Sequence, residues 1–141
     1  LVIHCPELRE GERVPFSAVE RVRPLADQAE FLLFHTGWGR YWGTERYFGD
    51  YPCIDQGIVD YLLQSGKKGV GLDTIGVDPI ADAYLSIHRR LFQDHDLVVM
   101  ENLANLDQIG DGLFTLFALP LRYQDADGSP IRAVAVLDGE E

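Results

Sequence analysis

The chain has 141 residues and a formal net charge of −11 at pH 7, from 12 Lys and Arg against 23 Asp and Glu. That acidic balance excludes the basic face that nucleic-acid binding normally needs and disfavours docking on an anionic membrane. With 46% hydrophobic and 25% charged residues, the composition is that of a folded soluble chain able to bury a core as one domain over 1–141.

In chain order, Leu1 to Cys5 reads as a strand, already under way at a first residue that is not Met, so a segment upstream is expected. A polar loop, PELREGERVP, follows. Ser17 and Glu20 have capping-box spacing and predict a short helix from Ala18 that fades by Pro24. EFLLFHT, Glu30 to Thr36, is an apolar run of strand length. GWGRYWGTERYFGDYPC then holds four Gly and six aromatic residues, too much glycine for regular structure, and predicts an irregular loop. Asp55 is placed to cap the helix DQGIVDYLLQSG, which Gly66 ends. Gly69 to Asp73 predicts a short buried strand, and DPIADAYLSIHRRLF a mostly helical stretch with Pro79 in its first turn. The turn QDHD leads into a strand, Leu97 to Glu101. After the turn-rich NLDQIGDG come a long apolar strand, LFTLFALPLRY, and a closing strand, Ile131 to Leu137. Strands alternating with short helices predict an α/β class, a mixed sheet with helices packed on it.

Cys5 and Cys53 lack CxxC spacing and read as free thiols of a reducing cytoplasm. No apolar run approaches the roughly 18 residues of a membrane span, and no signal-peptide pattern opens the chain. The sequence contains no GxSxG elbow, GxxxxGK[ST] loop or HExxH motif. GVGLDTIG has the glycines of a phosphate loop, but they sit inside a strand.

Four histidines remain. His4 and His35 lie in or at the end of strands, where a hydrogen bond to a backbone carbonyl accounts for each. His95 falls in the QDHD turn and reads as solvated. His88 differs because of its partner: a short turn joins its helix to the strand ending at Glu101, so the two pack antiparallel and bring His88 beside Glu101. Spacing alone leaves a structural pair and a metal site both open. Asp73 ends a strand, where open sheets tend to expose functional groups. Asp78, before Pro79, reads as a helix N-cap.

Several segments together resemble the cyclase family that includes the bacterial kynurenine formamidases (arylformamidases). They are FLLFHTGWGRYW, VDYLLQSGKKGVGLDTIGVDP, IHRRLF with VVMENL, and LFALPLRYQDADGSPIRAVAVL, spanning about residues 30 to 137. The resemblance implies a metal-dependent hydrolase that cleaves an amide C–N bond, such as that of N-formylkynurenine in tryptophan catabolism. It also implies a layered β/β/α domain of the swivelling type, a divalent metal (zinc, with manganese as the alternative), a small-molecule substrate, and a homodimer or homotetramer. By the same match His88 and Glu101 fall on the family's downstream metal ligands. Trp38 and Trp42 of the aromatic loop become candidates for lining a flat substrate, or for packing against a neighbouring subunit.

The family's upstream motif, HxGTHxDxPxH, which carries its other ligands and its general base, occurs nowhere in these 141 residues. The chain is therefore expected to be the C-terminal portion of a longer family domain with an incomplete site of its own. The alternative is a catalytically inactive relative that serves as a binding or assembly module.

Overall fold

The computed structural model describes residues 1–93 and 96–137; the reading of His95 as a solvated turn residue lies outside them. The strands are β1 (Val2–His4), β2 (Arg13–Val14), β3 (Phe31–His35), β4 (Cys53–Ile54), β5 (Gly69–Leu72), β6 (Val98–Met100), β7 (Thr115–Pro120) and β8 (Ile131–Val136). The helices are α1 (Ser17–Glu20), α2 (Arg23–Gln28), α3 (Gln56–Gln64) and α4 (Ser86–Phe92).

The apolar runs FLLF and GVGL become β3 and β5, the two inner strands of a parallel sheet ordered β1-β3-β5-β6. Strands covered on both faces need no polar alternation, which is why these runs are uniformly apolar. The glycines of β5 serve this packing. A Cβ at Gly69 would lie 2.5 Å from the Val98 carbonyl oxygen, and one at Gly71 2.7 Å from Leu103 and 2.8 Å from Leu33.

One face of the sheet, through Leu32, Phe34, Val70 and Leu72, packs on Val19, Ala26, Ile58, Leu62, Ile87 and Leu91 of the helices. The other face, through Val2, Leu33 and Met100, packs on Leu103, Leu106 and the inward residues of the β7–β8 hairpin, Leu116, Ala118, Ile131 and Ala133. The layers thus run hairpin, parallel sheet, helices, the expected β/β/α order. The mixture lies between sheets and not within one, because the closing antiparallel pair forms a sheet of its own. Its side chains alternate, leaving Phe117, Leu119, Val134 and Val136 exposed on the outer face.

Local chemistry explains where the chain departs from the pattern. Pro24 opens α2 instead of closing α1, since a first-turn proline forfeits no helical hydrogen bond. Ser17 makes no capping bond, and Phe16 occupies the N-cap. Asp55 does cap α3, its carboxylate 2.8 Å from the Ile58 N–H, and Gly66 ends that helix region at φ 66°. The helix expected from Pro79 begins only at Ser86. Asp82 accepts from the N–H groups of Tyr84 (2.9 Å) and Ser86 (3.1 Å), and Leu85 turns left-handed at φ 51°. An Asp side chain offers backbone donors an alternative to the helix, and here that turn wins.

The aromatic loop contains two 3-10 turns, Trp38–Tyr41 and Glu45–Phe48, before β4 pairs with β2. Cys5 and Cys53 are both free and buried. Among the described residues no helix is long and apolar enough to cross a membrane.

Candidate functional site

Parallel strands β5 and β6 end at the same edge of the sheet, so the segments leaving them meet. Asn102, at φ 58°, donates its N–H to the Thr74 carbonyl at 2.8 Å, and Leu103 donates to the Leu72 carbonyl at 3.0 Å. These two bonds pin the chain beyond β6 to the chain beyond β5. They set Glu101 over Gly76, where a Cβ would lie 3.6 Å from Glu101 Oε1.

Asp78, 1% exposed, reaches from the β5 side to α4. Its carboxylate accepts from the N–H groups of Ile87 (2.5 Å) and His88 (3.1 Å), so it caps that helix from nine and ten residues away. The same group lies 2.5 Å from His88 Nδ1. A carboxylate there places the ring proton on Nδ1 and turns Nε2 outward. His88 Nε2 then stands 3.1 Å from Glu101 Oε1, with both side chains partly exposed.

In a neutral imidazole this geometry sets a nitrogen lone pair against a carboxylate lone pair, so the pair calls for a proton or a cation. The His88 pKa is accordingly raised above its ordinary 6.5, first by the hydrogen bond to Glu101, with Asp78 adding and burial opposing. A folded pKa raised in this way stabilises the metal-free protein fully below the unfolded value, and that contribution is lost as pH rises through the folded one. In chelator-treated protein, Glu101→Gln is expected to lower Tm at about pH 6. At about pH 9 it should leave Tm unchanged or raise it, because the Gln amide then donates to neutral Nε2. Melting curves of both proteins across that range check this, and a pH-independent difference contradicts it.

The other candidates fall elsewhere. Asp73 is buried and turned inward: its carboxyl group accepts from Thr36 N–H (2.9 Å), Thr36 Oγ1 (2.6 Å) and, weakly, Gly39 N–H (3.5 Å). The strand-end aspartate thus holds the turn after β3 and exposes nothing. His4 and His35 are register partners on adjacent strands, with Nδ1 atoms 3.0 Å apart, and His4 Nε2 contacts the Ile109 carbonyl at 3.0 Å. Trp38 is 1% exposed and donates its indole N–H to the Tyr47 carbonyl, so it packs in this chain. Trp42 is 67% exposed and stands edge-on to Tyr47, with ring centroids 5.0 Å apart.

Sequence reasoning missed two tyrosines of the aromatic loop. Tyr47 donates its hydroxyl to Asn102 Oδ1 at 2.7 Å, beside Glu101. The Tyr51 hydroxyl lies over Gly76, where a Cβ would meet it at 2.9 Å. Both phenols are pushed up to about 12, chiefly by burial, with Glu101 among the charges that add to it. The only sequence signal was the aromatic density of the loop, which does not say which rings turn inward.

His88 and Glu101 supply one nitrogen and one oxygen donor of the kind zinc-type ions take, and Asp78 supplies the outer carboxylate that such histidines need. They fit as two ligands of a larger set. Among the described residues no group of three or more His, Cys, Asp or Glu gathers around an ion position.

The Cyclase family model matches residues 8–79, about half of the chain. A kynurenine formamidase of Bacillus anthracis is 42% identical over 83 residues, covering 59% of this chain and 39% of that protein. Isatin hydrolase A from Labrenzia aggregata, bound to benzyl benzoate, superposes with a TM-score of 0.83 at 22% identity, over 96% of this chain and 59% of that one. A potential metal-dependent hydrolase with cyclase activity gives 0.68 at 21% identity, over 95% and 62%. The chain thus spans about two fifths of the curated relative and about three fifths of the two solved chains. On the family match and the shared fold, the chain belongs to the Cyclase family.

Proposed function

We propose that this chain carries part of the active site of a metal-dependent hydrolase that cleaves an amide C–N bond, of the kynurenine formamidase type. His88 Nε2 and Glu101 Oε1 are two ligands of its divalent ion, zinc in preference to manganese because an imidazole is among the donors. The observation that carries this reading is the line Asp78–His88–Glu101, at 2.5 and 3.1 Å, which fixes the tautomer and turns two lone pairs toward one place. A structural ion pair needs no such buried third member.

A bound zinc ion would lower the pKa of a water and polarise the scissile carbonyl. The chain's own part is positional. Asp78 keeps the proton on Nδ1 and so keeps Nε2 available, while the bonds of Asn102 and Leu103 hold Glu101 at the strand end. The pair lines a half-open groove of about 1820 Å³ between β6, the end of α4 and the hairpin, walled by apolar side chains including Met100, Leu103, Phe114 and Leu116. Apolar walls with a few convergent polar groups suit a small aromatic substrate. Trp42 is exposed but is not among the residues that line this groove.

The experiment is hydrolysis of N-formylkynurenine by the protein in its full-length form. Chelation is expected to stop the reaction and zinc to restore it. His88→Ala and Glu101→Ala should each lower kcat/KM by more than about 100-fold, since removing a ligand costs at least as much as removing its outer partner. Hydrolysis indifferent to chelator and to both variants would overturn the reading.

A further inference from the structure

Asn102 follows Glu101 in sequence and lines the same groove as Glu101 and His88. Its backbone is fixed: φ is 58°, a conformation asparagine tolerates, and its N–H donates to the Thr74 carbonyl at 2.8 Å. That conformation accounts for a small polar residue at this position. It does not account for how the side chain is held.

Tyr47 holds it. The tyrosine is 1% exposed and packs with Trp38, Tyr51 and Cys53, and its hydroxyl lies 2.7 Å from Asn102 Oδ1. The phenol keeps its proton, being pushed up to about 12 chiefly by burial, so it donates and the amide turns its oxygen toward it. The reverse orientation would leave the phenolic hydrogen only the Asp73 carbonyl, 3.5 Å away, a poor partner for a buried donor. With Oδ1 committed to Tyr47, Nδ2 carries its two hydrogens away from the aromatic cluster. Among the described residues neither hydrogen has an acceptor, and Asn102 is exposed where the groove passes. An exposed asparagine ordinarily rotates freely. One clamped by a buried phenol has its donor direction set before a ligand arrives, which lowers the cost of binding.

We propose that Asn102 is a binding residue of the site, its side-chain Nδ2 donating a hydrogen bond to the carbonyl oxygen of the amide held beside His88 and Glu101. Tyr47 is the positioning residue that aims it. The assignment rests on the metal-hydrolase reading.

The test uses N-formylkynurenine with full-length protein freed of metal by chelator, so that binding is read without turnover. In nitrogen-edited NMR spectra the Asn102 side-chain amide pair should move as the compound is added. Asn102→Asp keeps an acceptor for Tyr47, and Asn102→Gly suits the left-handed backbone; each removes the donor. Both should weaken binding about tenfold or more, the loss of one hydrogen bond inside a site. Asn102→Gly should still take up zinc as the wild type does. An amide pair that stays still, or wild-type affinity in Asn102→Gly, would overturn the role while the metal reading stands. Weakened binding in Asn102→Gly with wild-type affinity in Asn102→Asp would also overturn it, because the effect would then belong to the acceptor lost by Tyr47. Failure of the wild type to take zinc through His88 and Glu101 would remove the metal reading and this role together.

Discussion

Replacing Asp78 with Ala is expected to destabilise the fold by about 3 kcal/mol, because a helix cap and a buried charge-assisted hydrogen bond are lost together. Asp78 is 1% exposed, and its carboxylate serves the N–H groups of Ile87 and His88 and the His88 ring at once. The Ile87 donor is buried, so no water replaces the lost acceptor. Zinc affinity should also fall, by about 10- to 100-fold, as when the outer partner of a ligating histidine is removed.

Asp78→Asn separates the two roles. Its oxygen still accepts from Ile87, which preserves half of the cap, while the His88 N–H loses its acceptor. Its amide nitrogen, however, presents hydrogens to His88 Nδ1. The ring must then carry its proton on Nε2, pointed at Glu101, and the lone pair a metal needs is gone. Urea melts should show the Asn variant closer to wild type than the Ala variant. Zinc titration should show it just as impaired. An Asn variant that binds zinc normally would mean Asp78 is a cap and nothing more.

Asp73→Ala should cost about 3 kcal/mol without touching the His88–Glu101 pair, since it strands buried donors of the turn after β3. Thr36, 1% exposed, gives both its N–H and its hydroxyl to this one carboxyl group. The turn it secures leads through Gly37, at φ 74°, into the Trp38 turn that packs the aromatic loop. Asp73→Asn retains an acceptor toward Thr36 and should cost about 1 kcal/mol. Urea melts of the two variants check the ranking. An Ala variant as stable as wild type would show that the turn holds by ring packing alone.

These two aspartates show what the sequence could and could not express. The strands were legible because FLLF and GVGL are apolar runs bounded by turn residues, and α3 because Asp55 and Gly66 mark its ends. The meeting of His88 with Glu101 followed from a short connection between helix and strand, which leaves the chain few ways to pack.

The roles of Asp73 and Asp78 depend on contacts that no local pattern contains. A carboxylate at a strand end looks the same whether it turns out toward a ligand or in toward Thr36, 37 residues away in sequence. Asp78 looked like a cap for residues just after it. The Asp82 turn and the left-handed Leu85 delay the helix, so its cap acts nine residues on. The same limit hid the meeting of Tyr51 with Gly76, and that of His4 with His35, which exists only once parallel strands are laid side by side.

His88 is proposed to present Nε2, with its proton fixed on Nδ1, as a metal ligand beside Glu101. The most direct measurement is a long-range proton–nitrogen NMR spectrum of the histidine rings, recorded as zinc is added to metal-free protein. The His88 Nε2 resonance is expected to move while Nδ1, held by Asp78, stays protonated throughout, and the movement is expected to vanish in Glu101→Ala. Zinc that shifts His4 or His35 while leaving His88 unchanged would contradict it.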